Sequence, residues 1–292
     1  MNVSVPRCGS TWLITPASAA DWLDTARSAG ADVALLDLED SVPHHRKNAA
    51  RAAAIGCLTE ATDGGITVLG LRLNSPCTVH GLRDLVAVAE SGLRPAVLLV
   101  PKVESARDVE LIVKVLDADD GQPRVWALIE TPRAIQRLPE ILGSRSLAGV
   151  VFGAADYAAA AGCSRRSGAL WYPRSALAAG AAAAGLPAID SPYFDLDDPD
   201  GLRREAEEAK DLGFVGKGAV HPAQLSLIRQ AFLPSSQELA AAHAVVTAAD
   251  AAHGGITTVD GRMVGPPLVA AARALTARAG DAAIPDLRGG SS

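Results

Sequence analysis

The stretch Val33-Ala34-Leu35-Leu36-Asp37-Leu38-Glu39-Asp40 is an unbroken apolar run that ends abruptly in carboxylates. A strand with one wet face alternates apolar and polar residues. A run that is apolar on both faces belongs to a parallel sheet covered by helices. Arg46–Glu60 follows with apolar residues at helical spacing, and the same sentence then repeats along the chain. Strands are expected at Trp12–Thr15, Val33–Leu38, Thr67–Leu73, Ala96–Val100, Val125–Ile129, Gly149–Phe152, Ala188–Ser191 and Val215–Val220. Helical spacing follows at Ala19–Ala29, Arg46–Glu60, Val79–Ser91, Ser105–Leu116, Ala134–Leu142, Arg174–Ala184, Pro199–Leu212 and Pro222–Phe232. Ser105 with Asp108, and Pro222 at a first turn, read as helix starts.

Eight such units between Thr11 and Phe232 predict a (β/α)8 TIM barrel over residues 1–233. A doubly wound open sheet is the alternative, but the first strand-to-helix junction, Thr15-Pro16-Ala17-Ser18, has no GxGxxG loop. After Phe232 the rhythm changes. A helix at Ser236–His253, a short strand at Ile256–Asp260, the turn Gly261–Arg262, the doublet Pro266-Pro267 and a last helix to Arg278 form a C-terminal extension, 234–280, read as a lid or subunit clasp. Asp281–Ser292 reads as a frayed tail.

Composition narrows the function. In 292 residues, 49% are hydrophobic and 21% charged, which suits a large core and excludes wholesale disorder. Aromatics are only 4%, so Ala, Leu and Val must build the interior. Lys plus Arg is 27 against 33 for Asp plus Glu, a net charge of −6, which argues against nucleic acid and for a small-molecule ligand. Cys8, Cys57, Cys77 and Cys163 show no CxxC spacing, so a reducing cytoplasm is expected and the thiols read as packing. The longest strongly apolar stretch, Ala96–Val100, is far short of the ~18 residues that span a bilayer. Arg7 is followed by no long apolar segment, so no secretory signal is read and the mature chain is expected to begin near Met1.

In such a barrel chemistry sits where strands end. Here the strand ends deliver Asp37, Glu39 and Asp40, then Arg72, Lys102, Glu130, Asp156, Asp190 and His221 to one rim. Glu130 and Asp156 end neighbouring strands and can converge on one hard cation. Two carboxylates without nearby Cys or His favour Mg2+, with Mn2+ as a substitute. Arg72 offers a planar fork for a substrate carboxylate. Lys102 is expected to neutralise the crowded Asp37, Glu39 and Asp40, in preference to forming a Schiff base, because so many acids hold an amine protonated.

Together LLDLEDSV (35–42), LRLNS (71–75), VPKVES (100–105), LIET (128–131), FGAADY (152–157), LPAIDSPY (186–193), GFVGKGAVHPAQ (213–224) and VDGRMV (259–264) resemble the citrate lyase beta subunit and malyl-CoA lyase family of HpcH/HpaI aldolases. The resemblance runs from Thr11 to Arg278. It implies a TIM barrel in trimers or hexamers that makes or breaks a C–C bond between an acyl thioester or pyruvate-like unit and a carbonyl acid. It implies Glu130 and Asp156 as metal ligands and Arg72 as the grip on the acid, with the backbone amides of Gly153, Ala154, Ala155 and Asp156 holding its carboxylate. Glu39 and Asp40 become supporting groups.

Three departures from the family pattern stand out. Ser10-Thr11 replaces the Arg-Ser that often opens the first strand. Gly261-Arg262-Met263-Val264 runs into Gly265 where malyl-CoA lyases carry an aspartate that acts as acid/base from a neighbouring subunit. His44 and His45 follow strand two, where either can supply an alternative base, against the plainer reading of a solvated loop pair. Arg165 and Arg166 are read as surface arginines, with contact to a CoA phosphate as the alternative. The expectation is a Mg2+-dependent C–C lyase or aldolase for a 2-keto or 3-hydroxy acid, free or as a CoA or carrier-protein thioester. A thioester hydrolase on the same scaffold and a non-catalytic subunit that binds metal and acid are the alternatives.

Overall fold

The structure is a computed structural model that describes residues 9–17, 21–60, 67–116, 125–252 and 255–282. Eight strands close a parallel barrel in sequence order: β1 (Thr11–Pro16), β2 (Val33–Asp37), β3 (Val68–Arg72), β4 (Val97–Val100), β5 (Val125–Ile129), β6 (Leu147–Phe152), β7 (Ala188–Asp190) and β8 (Gly216–Ala219). The TIM barrel read from the apolar runs is therefore what the chain forms. Around it lie α1 (Asp21–Ser28), α2 (Lys47–Glu60), α3 (Val79–Ser91), α4 (Ala106–Val115), α5 (Pro132–Gln136), α6 (Leu138–Leu142), α7 (Ala154–Ala161), α8 (Ser167–Ala184), α9 (Pro199–Leu212) and α10 (Leu225–Phe232).

The barrel is filled from alternate strand positions. Trp12, Val33, Leu35, Val97, Leu99, Trp126, Leu128, Val151 and Ile189 form one buried cluster, with Trp12 and Trp126 meeting edge to face at 4.5 Å between ring centroids. Two tryptophans supply the bulk that a chain poor in aromatics otherwise lacks. Gly149 makes room for one of them: a Cβ there would lie 2.3 Å from the Trp126 ring. The opposite strand faces pack against the helices in a larger layer that includes Leu71, Leu98, Ile112, Ile129, Phe152 and Leu177.

Three local differences from the sequence reading have plain causes. The expected helix Ala134–Leu142 is two short helices, because Pro139 has no N–H to continue α5 and Arg137 between them leaves helical geometry. The segment after Phe152, read as a loop, is α7, closed by Gly162 in the left-handed conformation. The helix expected at Arg174 begins earlier, at Ser167, and tolerates Pro173 in its second turn.

The chain divides into two compact units, Met1–Phe232 and Leu233–Ser292. In the second, α11 (Ser236–Ala251) opens with a capping box between Ser235 and Glu238. The hairpin β9 (Thr257–Val259) and β10 (Arg262–Val264) turns at Asp260-Gly261, and α12 (Pro266–Ala282) follows. Of the expected tail, 283–292 lie outside the described residues, as do Met1 and Cys8. Cys57, Cys77 and Cys163 are free thiols. Among the described residues, no helix is long and apolar enough to cross a membrane.

Candidate active site

A cavity of about 300 Å³ opens at the C-terminal end of the barrel strands, with Asp37, Asp40, Arg72, Glu130, Gly153 and Asp156 in its wall. Register explains the first contact. Asp37 and Arg72 are direct cross-strand partners of β2 and β3, so their side chains leave the rim together. Arg72 Nε donates to Asp37 Oδ1 at 2.6 Å and Nη2 to Oδ2 at 2.7 Å. Asp37 also accepts the backbone N–H groups of Glu39 and Ser41. Burial pushes the Asp37 carboxyl up, but the Arg72 charge and hydrogen bonds outweigh it and hold it below its ordinary value.

The pairing of Asp37 corrects the expectation for Lys102. Arg72, not Lys102, neutralises the β2 acids, with Nη1 lying 3.2 Å from Glu39 and 3.4 Å from Asp40. Lys102 instead pairs with Asp156 and lies 3.5 Å from Glu130 Oε1. Its backbone is left-handed, φ 57°, and its N–H donates to Glu130 Oε1 at 2.9 Å. One ammonium thus reaches both carboxylates that the sequence assigns to a metal, and Glu130 and Asp156 converge as expected from neighbouring strands.

Gly153 permits this approach. A Cβ at that position would lie 2.5 Å from Glu130 Cβ and 2.7 Å from Oε2. Of the four amides expected to hold a carboxylate, two are engaged elsewhere. Gly153 N–H continues the ladder to Ile129 O at 3.0 Å, and Ala154 N–H donates to Ser191 Oγ at 3.2 Å. Ala155 and Asp156 remain as first-turn donors of α7, where a helix leaves its N–H groups unpaired. Ser191 was not among the sequence candidates; its position directly after strand seven in SPY was the available signal.

The electrostatics are those of a site short of positive charge. Asp37, Glu39, Asp40, Glu130 and Asp156 face Arg72 and Lys102, five carboxylates against two cations. Burial, with Asp156 nearby, pushes the Glu130 carboxyl up to about 7 although Lys102 opposes the shift. Burial, with Glu130, Asp40 and Asp37 nearby, pushes Glu39 to about 8 against the pull of Arg72. Glu39 Oε2 is buried, with the Arg72 charge 3.2 Å away but no hydrogen bond. A divalent cation of the Mg2+ type fits this set, which offers hard oxygen donors and carries more carboxylates than cations.

His44 and His45 do not line this cavity. They lie with His80 at another, and the Nε2 atoms of His44 and His80 are 3.1 Å apart.

The family described as HpcH/HpaI aldolase/citrate lyase matches residues 11–222. A (3S)-malyl-CoA thioesterase of Cereibacter sphaeroides is 35% identical, over 91% of this chain and 93% of its own. The citrate lyase subunit beta of Escherichia coli is 32% identical, over 94% of each chain. The crystal structure of CitE from Mycobacterium tuberculosis with magnesium, acetoacetate and coenzyme A is 33% identical, covers 94% of this chain and 98% of that one, and superposes with a TM-score of 0.81.

Proposed function

The chain belongs to the HpcH/HpaI aldolase/citrate lyase family, and from that premise we propose that it is a Mg2+-dependent carbon–carbon lyase acting on a small carboxylic acid joined to an acyl thioester or pyruvate-like unit. The observation that carries the reading is that Glu130 and Asp156 both reach the Lys102 ammonium in the wall of the cavity that Arg72 also lines. Magnesium and coenzyme A accompany the M. tuberculosis protein, which supports a Mg2+ site here.

Glu130 and Asp156 would hold the metal. Bound there, Mg2+ supplies Lewis acidity toward a carbonyl oxygen and fixes the orientation of a keto acid. Asp37 occupies the Nε–Nη2 edge of Arg72, so the acid would meet Nη1, displacing its longer contacts to Glu39 and Asp40. The N–H groups of Ala155 and Asp156 add donors for the same carboxylate. Asp37 holds the guanidinium rigid, so charge that develops on oxygen during bond cleavage meets a preorganised donor. Lys102 keeps the two carboxylates together and balances one negative charge. The walls contributed by Trp12, Leu128 and Ile189 keep the floor apolar and strengthen each of these interactions.

The test is a panel of 3-hydroxyacyl-CoA and hydroxy keto acid substrates, with and without Mg2+. Release of pyruvate, glyoxylate, oxaloacetate or an acetyl thioester only with Mg2+ supports the lyase. Release of free CoA thiol without C–C cleavage supports a thioester hydrolase, the reading favoured by the (3S)-malyl-CoA thioesterase likeness. Metal binding with no turnover across the panel supports a non-catalytic subunit.

A further inference from the structure

The cavity that His44, His45 and His80 line has a volume of about 780 Å³ and shares no wall residue with the site described above. It opens between the turn after β2 and the start of α3. Among the described residues its wall holds no carboxylate and no thiol. Hard ions such as Mg2+ and Ca2+ bind through anionic oxygen, so this wall has little to hold them. What it offers is ring nitrogen.

His44 Nε2 and His80 Nε2 stand 3.1 Å apart, with the rings edge to face at 84° and 4.5 Å between centroids. Rings bonded head-on through these nitrogens would hold their centres further apart, so at least one ring is tilted off the line between them. Two nitrogens each about 2.0–2.1 Å from one zinc-type ion lie roughly 3–3.5 Å from each other. The spacing found here is therefore that of two ligands on one ion. Each ring is carried by a separately anchored backbone. His80 lies in the first turn of α3, which Thr78 caps by accepting the Gly81 N–H at 3.0 Å. His44 opens the 3-10 turn after β2, and Lys47 ties that turn back by donating to Leu38 O at 2.7 Å and Glu39 O at 2.6 Å. His80 Nδ1 is buried with no hydrogen-bond partner, so Nε2 is the atom through which this ring is engaged.

We propose that His44 and His80 form a second metal site through their Nε2 atoms, for a divalent ion of the kind imidazole binds, Zn2+, Ni2+ or Cu2+, and not for Mg2+. The protein supplies two nitrogens, and water or a small anion fills the other positions. Arg83 in the same wall suits an anion there. With two protein ligands instead of the four of a closed structural site, the ion exchanges with solvent. Bound, it links the turn after β2 to the first turn of α3. The site stands apart from the lyase reading, since neither ring lines the cavity of Glu130 and Asp156.

The test needs no turnover. Zn2+ is titrated calorimetrically into the full chain, carrying no histidine tag and with Mg2+ in excess, and into His44→Ala and His80→Ala variants. The expected result is Zn2+ binding in the wild type that weakens at least tenfold in each variant, with Mg2+ affinity unchanged. Cu2+ added under the same conditions should show electron paramagnetic resonance coupling to two imidazole nitrogens in the wild type and to no more than one in either variant. A His44→Gln, His80→Gln variant keeps polar side chains of similar size and should lose Zn2+ binding as well, with the circular dichroism of the wild type. Equal Zn2+ affinity in the wild type and the variants overturns the proposal, as does Cu2+ that couples to fewer than two nitrogens in the wild type. Failure of the lyase reading would show separately, as no C–C cleavage across the substrate panel while Zn2+ binding still responds to the two histidines.

Discussion

Asp37 and Arg72 form a two-pronged ion pair at the rim, with Asp37 fully buried and the guanidinium oriented before any substrate arrives. Removing the acid leaves a buried guanidinium without its partner, which costs roughly 3–5 kcal/mol. Asp37→Asn is therefore expected to lower the free energy of unfolding by about that amount in a urea titration. Arg72→Lys puts a point charge in place of a fork and leaves the second oxygen of Asp37 unmatched. KM for the acid should rise about tenfold or more, with Mg2+ affinity nearly unchanged. Equal losses in both quantities would place Arg72 on the metal rather than on the acid.

Gly153 and Glu130 are packed too closely for any side chain at 153. Gly153→Ala is expected to push Glu130 off the position it shares with Asp156. Catalytic constellations tolerate only about 0.5 Å of misplacement, so Mg2+ affinity should drop while the far-ultraviolet circular dichroism of the barrel is retained. A variant with wild-type Mg2+ affinity would show that the ion does not use Glu130.

His44 and His45 open the 3-10 turn after β2 but face another cavity, with His44 against His80. His44→Ala and His45→Ala are each expected to keep kcat within about twofold, because neither ring is within reach of the site from which a proton must be taken. A large loss of kcat in either, with Mg2+ affinity intact, would restore it as the base.

The barrel was legible because most strands are apolar on both faces and most end in, or run into, a charged or turn-forming residue. The approach of Glu130 and Asp156 was legible for the same reason, since strand order alone puts the two carboxylates side by side. The partner of Lys102 was not. That depends on a left-handed backbone at a lysine, which no spacing announces, and on the β2–β3 register that gives Asp37 to Arg72 across 35 positions of sequence. Helix α7 was missed because Ala154–Ala161 is mostly alanine, which carries no apolar stripe to distinguish helix from loop. Ser191 was passed over because its part depends on one amide of that helix.

The ends of β7 and β8 are tied by a buried charge cluster whose pH response can be worked out in sign. Lys217, with no exposed surface, donates to Asp190 Oδ2 at 2.7 Å, to Glu205 at 2.7 Å and to Ser191 O at 2.6 Å, and Arg174 adds bonds of 3.1 and 3.0 Å to Asp190. Burial pushes the Asp190 carboxyl up, but Lys217 and Arg174 together hold it below its ordinary 3.8. The folded chain then binds fewer protons than the unfolded chain, so this contribution is complete above about pH 4 and is lost as pH falls further. Asp37 acts with the same sign. Each such group steepens the fall by at most about 1.4 kcal/mol per pH unit. Urea titrations between pH 5 and pH 3 should show a steep loss in the wild type, and Asp190→Asn should flatten it by about one proton while lowering stability at neutral pH. Parallel slopes in the two proteins would mean that Asp190 is protonated as readily in the folded barrel as in the unfolded chain.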